Sequence, residues 1–320
     1  MILTVTLNPI IEQRLHFSKV LRGEANRAHK QSYYAGGKGI NVSRQLNKMN
    51  IKNLALTFLG GDNGRRLRAT MTAEGLNFTA IAVKSETRSG TIVIEDEPVR
   101  VTHLFGENSV ITPEEVNEFK FKLEKMIQNC EYVVFSGSSP SPACDDIFAY
   151  GVQIAEKYDK TAVVDTYGKA LELAIKEQPA ILHINKKEAS DYFGKKIEDE
   201  ADVISALEEF HKLGVKIGII TDGDSPVYMN HFGFIHKVTP PEIKVIDETG
   251  SGDAFVAGLV YGLYNDEVLT DILRMATSCG AANASSVSVC EVDYSDIEHL
   301  LNEILIEPIG KKMNLMNEML

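Results

Sequence analysis

Asp247-Glu248-Thr249-Gly250-Ser251-Gly252-Asp253-Ala254-Phe255 is where the reading of this chain begins. Gly250 and Gly252, one residue apart, let the backbone curl with its N–H groups turned inward, because glycine adopts conformations that a Cβ forbids. An apolar helix starts as the run passes Asp253. Ala254, Gly258 and Gly262 recur every four residues and stack on one face, with Phe255, Val256, Leu259, Val260 and Leu263 around them. So smooth a face predicts close packing against a neighbouring element. The first N–H groups of a helix lack internal partners and carry the positive end of its dipole, which favours an anion by roughly 0.3–1 kcal/mol at an exposed site. Two readings of Asp253 stay open here: a helix cap, the ordinary role of Asp at such a position, or a carboxylate at the edge of an anion socket. Capping does not need the Gly-Ser-Gly turn in front of it.

Upstream of that run, short apolar strands alternate with longer amphipathic segments. Strands are expected at 132–135, 162–165, 181–184 and 217–220, and helices at 113–129, 145–157, 169–176, 187–193 and 202–213; Thr112, Pro113 and Glu115 give the first helix a capped start. This alternation predicts an α/β fold with a mostly parallel sheet covered on both faces. Ligands of such sheets lie beyond the carboxyl ends of the strands. There the chain has Ser136-Gly137-Ser138, Asp165-Thr166, Asn185 with Glu188, and Thr221-Asp222-Gly223-Asp224. Each alone is an ordinary loop; together they favour a site.

The N-terminal part opens with a strand at 2–8, ended by Asn8-Pro9. A second glycine-rich turn, Gly36-Gly37-Lys38-Gly39, leads into a helix through Val42, Leu46 and Met49. It lacks the G-x-x-x-x-G-K-[ST] order of the nucleotide-hydrolase phosphate loop, and taken alone it is either a tight strand-to-helix turn or a ligand site. A strand at 54–59, a helix at 65–74 and a strand at 81–83 follow. Strands at 90–95 and 99–105, joined by Asp96-Glu97-Pro98, form a hairpin that breaks the rhythm and predicts a small β flap. Another hairpin is expected at 227–229 and 234–238. The tail after Glu307 carries no pattern.

Composition narrows the function. Lys plus Arg number 33 against 45 Asp plus Glu, a formal net charge of −12, which disfavours a general nucleic-acid surface and requires local basic residues for any anionic ligand. The four cysteines, Cys130, Cys144, Cys279 and Cys290, have no C-x-x-C spacing and no His pair stands at metal-ligand spacing, so neither a zinc site nor a disulfide framework is indicated. No apolar run approaches the roughly 18 residues of a membrane span, and residues 1–7 lack the basic start of a signal peptide. A soluble cytoplasmic protein with free thiols, no nucleic-acid partner and no membrane partner is the expectation.

Gly36-Gly37-Lys38-Gly39-Ile40-Asn41-Val42, with Thr249-Gly250-Ser251-Gly252-Asp253-Ala254 far downstream, resembles the two signatures of the PfkB carbohydrate kinases of the ribokinase superfamily. Leu7-Asn8-Pro9, Ser136-Gly137-Ser138 and Asn185-x-x-Glu188 are most similar to the branch that phosphorylates ketohexose phosphates, the 1-phosphofructokinase and tagatose-6-phosphate kinase branch. The resemblance implies one ribokinase-like domain over 1–320, three layers α/β/α, with a discontinuous β lid from about 12–34 and 88–106. It implies ATP and Mg²⁺ as cofactors, with a monovalent cation as a further expectation, and a homodimer formed through the lid. In the family's terms Asp253 would be the general base, and Gly250, Ser251 and Gly252 the anion hole. Thr221, Gly223, Thr249, Gly280 and Asn283 would border the nucleotide, and Asn185 and Glu188 would organise Mg²⁺ through water. Glu12, Gly37 and Asn41 would meet sugar hydroxyls, while Arg27, Lys38, Arg88 and Ser138 would hold the phosphate already on the substrate. Two departures stand out: Glu12 replaces the family's usual aspartate, and Ser139-Pro140-Ser141 replaces its usual leucine-proline continuation. The implied activity is ATP-dependent phosphorylation of a hydroxymethyl group on fructose 1-phosphate, fructose 6-phosphate, tagatose 6-phosphate or a related phosphosugar. The alternatives are a kinase of an unphosphorylated sugar or nucleoside, and a non-catalytic sensor of sugar phosphate and nucleotide.

Overall fold

The computed structural model describes residues 1–309. The chain runs through β1 (Ile2–Thr6), β2 (Ile10–Phe17), β3 (Lys30–Gly36), α1 (Lys38–Lys48), β4 (Asn53–Gly60), α2 (Gly61–Ala73), β5 (Phe78–Val83), β6 (Arg88–Asp96), β7 (Val99–Phe105) and α3 (Pro113–Ile127). It continues with β8 (Tyr132–Ser136), α4 (Ile147–Lys157), β9 (Thr161–Asp165), α5 (Gly168–Lys176), β10 (Ile181–Asn185), α6 (Lys186–Phe193), α7 (Glu200–Lys212) and β11 (Ile217–Thr221). Next come β12 (Val227–His231), β13 (Phe234–Thr239), α8 (Ser251–Tyr264), α9 (Leu269–Ala284), α10 (Tyr294–Glu298) and β14 (Leu305–Ile309). Of the tail after Glu307, Pro308 and Ile309 end β14; the remainder lies outside the described residues.

Ten strands form one sheet in the order β14-β13-β12-β11-β10-β9-β8-β1-β4-β5. From β11 to β5 every pairing is parallel, as the strand–helix alternation predicts, and the β12–β13 hairpin and β14 extend one edge antiparallel. Successive residues of each strand serve opposite layers. Val133, Phe135, Ala162, Val164, Leu182 and Ile184 join the core with α3, α4 and α5. Their neighbours Val134, Val163 and Ile181 join the core with α1, α8 and α9. The small-residue face of α8 meets α9 as its spacing predicts: a Cβ on Gly258 would stand 2.8 Å from Cys279 Sγ, and one on Gly262 would stand 2.9 Å from Ile272 Cγ1. The Thr112–Glu115 capping box at the start of α3 is present in full.

A second sheet of four strands, order β3-β2-β6-β7, stands apart from the first. The β6–β7 hairpin is the flap read from the sequence. It is completed by β2, parallel to β6, and by β3, antiparallel to β2, neither of which the residue pattern disclosed. Likewise β14 comes from a segment that carried no readable alternation.

Candidate active site

Five of the parallel strands end at Thr6, Ser136, Asp165, Asn185 and Thr221, and a cavity of about 560 Å³ opens beside those ends, the small sheet and the start of α8. Four helices begin at its wall, with Gly37, Tyr167, Asn185 and Gly250 as the residues preceding α1, α5, α6 and α8. Their unpaired N–H groups and positive dipole ends make this acidic chain locally receptive to anions. Two of these entries depend on glycine. Gly250 sits at φ 78°, where an added Cβ would stand 2.4 Å from Val289 Cγ1, and Gly37 sits at φ 123°, where a Cβ would stand 2.8 Å from Thr6 Cγ2.

Asp253 is at the third position of α8 and points inward, 5% exposed. The helix is capped by Gly250, and the Asp253 carboxylate accepts from Asn41 Nδ2 at 2.7 Å, so the capping reading of Asp253 gives way. That bond joins the two glycine-rich segments across 212 residues of sequence. Burial raises the Asp253 pKa to about 7. Asp165 and Glu188 push in the same direction, while Lys38 and the Asn41 hydrogen bond act against the rise.

Lys38, the first residue of α1, reaches Asp165 Oδ1 at 3.2 Å and Glu188 Oε1 at 3.5 Å. Burial works against the Lys38 ammonium, but Asp165, Glu188 and Asp253 outweigh it and hold its pKa above the usual lysine value. Asp165 is also fully buried, which disfavours its charge, yet Lys38, His183 and Ser136 hold it well below the usual carboxylate range. Ser136 Oγ donates to Asp165 Oδ2 at 2.6 Å, and His183 links Asp165 (Nδ1, 3.3 Å) to Thr221 (Nε2 to Oγ1, 3.2 Å) while stacked on Phe255. Asn185 and Glu188 form a reciprocal capping box at the start of α6, at 2.8 and 2.9 Å. Glu188 Oε1 stays turned toward Lys38.

At the small-sheet end, the Arg88 guanidinium donates to the Asn8 carbonyl at 3.1 Å and lies 5.7 Å from the Phe105 ring centroid. Asn8 Nδ2 donates to Ser138 Oγ at 2.9 Å. Burial pulls the Arg88 pKa below its ordinary value. Glu12 lines the same end and pairs with Arg14 at 3.4 Å.

Of the residues to which the resemblance assigns a role, Glu12, Gly37, Lys38, Asn41, Arg88, Ser138, Asn185, Glu188, Thr221, Gly223, Thr249, Gly250, Ser251, Gly252, Asp253 and Gly280 all line this cavity. Two do not. Arg27 is exposed in the connection between β2 and β3, which carries it away from the cavity within one chain. Asn283 is fully buried behind the glycine turn, donating to the Thr249 carbonyl at 2.8 Å and to Ser251 Oγ at 3.0 Å while accepting from Cys290 N–H at 2.7 Å. It braces the turn.

The family model for pfkB family carbohydrate kinases matches residues 6–295. The chain is a member of that family. It is 30% identical over 312 residues to a 1-phosphofructokinase of Borreliella burgdorferi, covering 97% of this chain and 99% of the relative. Among solved structures it is similar to phosphofructokinase-2 of Escherichia coli in complex with potassium, with TM-score 0.87, 20% identity and coverage of 94% and 98% of the two chains. It is also similar to a provisionally named phosphofructokinase of Staphylococcus aureus, with TM-score 0.81, 27% identity and coverage of 98% and 100%. This chain is therefore a carbohydrate kinase with the ribokinase-like fold.

Against that family background, the residues overlooked in the sequence are telling. His183 is the lone polar side chain in the apolar run Ile181-Leu182-His183-Ile184, a signal that was available but ambiguous. Arg44 stands three residues after Asn41, on the same face of α1. Nothing local distinguished it from a surface arginine. No helix among the described residues is long and apolar enough to cross a membrane.

Proposed function

We propose that this pfkB-family kinase transfers the γ-phosphoryl group of ATP to a hydroxymethyl group of a ketose phosphate, with Asp253 as general base. The observation that carries the proposal is the buried Asp253 carboxyl. It is hydrogen-bonded to Asn41, has a pKa raised to about 7, and shares one cavity with the Gly250–Gly252 turn and the Lys38 and Arg88 cations. A base with a pKa near neutral pH is about half ionised there and accepts the hydroxyl proton readily, a role worth about 10²–10⁴ in rate.

In this reading the acceptor oxygen attacks the γ-phosphorus as its proton passes to Asp253. The bond to the β,γ-bridging oxygen breaks, and ADP leaves with that electron pair. The N–H groups of Gly250 and Gly252 receive charge building on the transferred group, and that of Ser251 joins them on leaving the Glu248 carbonyl, which it meets at 3.1 Å. Thr221, Gly223, Thr249 and Gly280 border the nucleotide, and Asn283 supports the turn from behind.

Three carboxyl groups, Asp165, Glu188 and Asp253, share the neighbourhood of the single cation Lys38. Among the described residues no three acidic, His or Cys side chains converge as a ready metal cage. A surplus of negative charge without a cage suits a divalent ion held largely through water and phosphate oxygens, with Glu188 and Asn185 as its protein side. Mg²⁺ would supply charge neutralisation on the phosphates.

The substrate phosphate belongs at the other end, with Arg88, Lys38 and Ser138. Arg88 Nε is buried there without a hydrogen-bond partner among the described residues, and an anion restores what burial takes from the guanidinium. Glu12, Gly37 and Asn41 would face the sugar hydroxyls. The small sheet is read as the lid of a single domain, built from about 12–34 and 88–106. Its edge strand β7, with exposed Val99, Leu104 and Phe105, is where two copies would pair. Arg27 would then act from such a pair.

ADP release is to be measured over fructose 1-phosphate, fructose 6-phosphate, tagatose 6-phosphate, ribose and adenosine. The expected result is turnover confined to the phosphosugars and nearly abolished in Asp253→Asn, with nucleotide binding retained. Full turnover in that variant refutes the assignment of the base, and turnover on ribose or adenosine alone refutes the substrate class.

A further inference from the structure

Arg44 is a buried cation, 4% exposed, on the far side of Asn41 from the cavity, and the chemistry proposed above leaves it without a role. Its NH1 donates to Asn41 Oδ1 at 2.8 Å and reaches the Val289 carbonyl at 3.5 Å. Its Nε and NH2 both donate to Glu74 Oε2, at 3.0 and 2.7 Å, and NH2 also meets the Ala35 carbonyl. Glu74, which follows α2, is held in turn by the Ala35 N–H, donating to Oε1 at 3.1 Å. The guanidinium is thus fixed from several sides.

Arginine only donates hydrogen bonds. The Asn41 atom that faces it must therefore be the amide oxygen, and the NH2 must face Asp253, where it lies 2.7 Å from Oδ2. An N–H aimed at a carboxyl oxygen favours the ionised form. A turned-over amide would present its oxygen instead, accepting the proton of the acid and repelling the carboxylate. We propose that Arg44, anchored by Glu74, is a positioning residue that locks the Asn41 amide with its NH2 on Asp253, so that this hydrogen bond favours the carboxylate over the acid. The inference rests on the reading of Asp253 as the base.

The other groups around Asp253 make the lock consequential. Asp165 from β9 and Glu188 from α6 favour its protonation, Lys38 from α1 opposes it, His183 of β10 lies beside Gly252, and the Cys290 thiol is buried close by. With two acids near, a donor held in one orientation keeps the base available at neutral pH.

The test is the pH profile of kcat/KM for the parent, Arg44→Met, Arg44→Lys and the double variant Arg44→Met with Glu74→Gln. The double variant leaves no unpaired, partly buried carboxylate and keeps an acceptor for Ala35 N–H, so it carries the test where the single variant fails to fold. The expected result is an acid limb displaced upward by about one unit in all three, with activity returning to within about threefold of the parent near pH 9, where Asp253 is ionised regardless. The lysine variant shares the shift because one ammonium cannot hold Glu74 and Asn41 together.

A loss of activity equal at every pH, with the limb in place, overturns the proposal and leaves Arg44 a structural residue. A limb displaced in Arg44→Met but not in Arg44→Lys assigns the effect to charge alone and also overturns the lock. A second readout needs no turnover: the pH dependence of the stability difference between each protein and its Asp253→Asn counterpart reports the carboxyl directly. A midpoint displaced there while Asp253→Asn stays active sinks the base and supports the lock; an unmoved midpoint sinks the lock.

Discussion

Replacing Asp253 by Asn removes a carboxyl that the fold holds at a cost, and the sign of the effect follows from the titration. Its pKa is 3.8 as an ordinary Asp and about 7 in the folded chain, so the folded state binds the proton more tightly than the unfolded one. A raised folded pKa contributes stability that is present below the unfolded value and is lost as pH rises through the folded one. Near pH 8 the parent has lost about three pKa units of proton binding, roughly 4 kcal/mol; near pH 5 the loss is about 2 kcal/mol, and below pH 4 it is close to zero. The amide in the Asp253→Asn variant carries no charge to desolvate and still offers an oxygen to Asn41, while Lys38 keeps Asp165 and Glu188. The variant should therefore be the more stable protein at alkaline pH. For a chain of this size about 4 kcal/mol corresponds to roughly 6 °C in Tm. Paired thermal melts or urea titrations from pH 5 to 8 measure it. A variant no more stable than the parent at pH 8, or a difference that does not grow with pH, refutes the picture of a desolvated carboxyl crowded by Asp165 and Glu188.

Because the base works only when ionised, kcat/KM of the parent should rise with pH through about 7, set by the same carboxyl; a profile flat from pH 5.5 to 8 contradicts this. Arg88→Ala should raise KM for phosphosugars by about 10- to 100-fold, the range of one or two lost charge-assisted hydrogen bonds, which a substrate titration reads directly. Gly250→Ala puts a Cβ at φ 78° and 2.4 Å from Val289 Cγ1, so it should cost about 2 kcal/mol of stability, seen in urea melts, and about 10- to 100-fold in kcat through displacement of the turn.

Much of the fold was legible because it rests on local repetition. Short apolar strands followed by amphipathic helices produced the parallel sheet from β8 to β11, and the Thr112-Pro113-Glu115 start marked α3. The small sheet was half visible. The β6–β7 hairpin declares itself through Asp96-Glu97-Pro98, whereas β2, Ile10-Ile11-Glu12-Gln13-Arg14-Leu15-His16-Phe17, lacks strict alternation because it serves the cavity and Arg14 as well as a core. The site was legible as residue types at strand ends and glycine turns. Its relations were not. His183 and Arg44 passed unmarked in the sequence and Asn283 was expected as a nucleotide contact, and only their positions give each its work.

Sequence by itself determined the elements, the glycine positions and the chemistry on offer, since helix and strand periods, turns at positive φ and donor or acceptor types are properties of a residue and its near neighbours. Tertiary structure alone decided that Asn41 would meet Asp253 across 212 residues, that Asp165 would keep its charge while Asp253 yields it near neutrality, and that Arg27 would stand clear of the cavity. Proton affinity and hydrogen-bond orientation depend on distance and burial in three dimensions, and neither is written in the order of the residues.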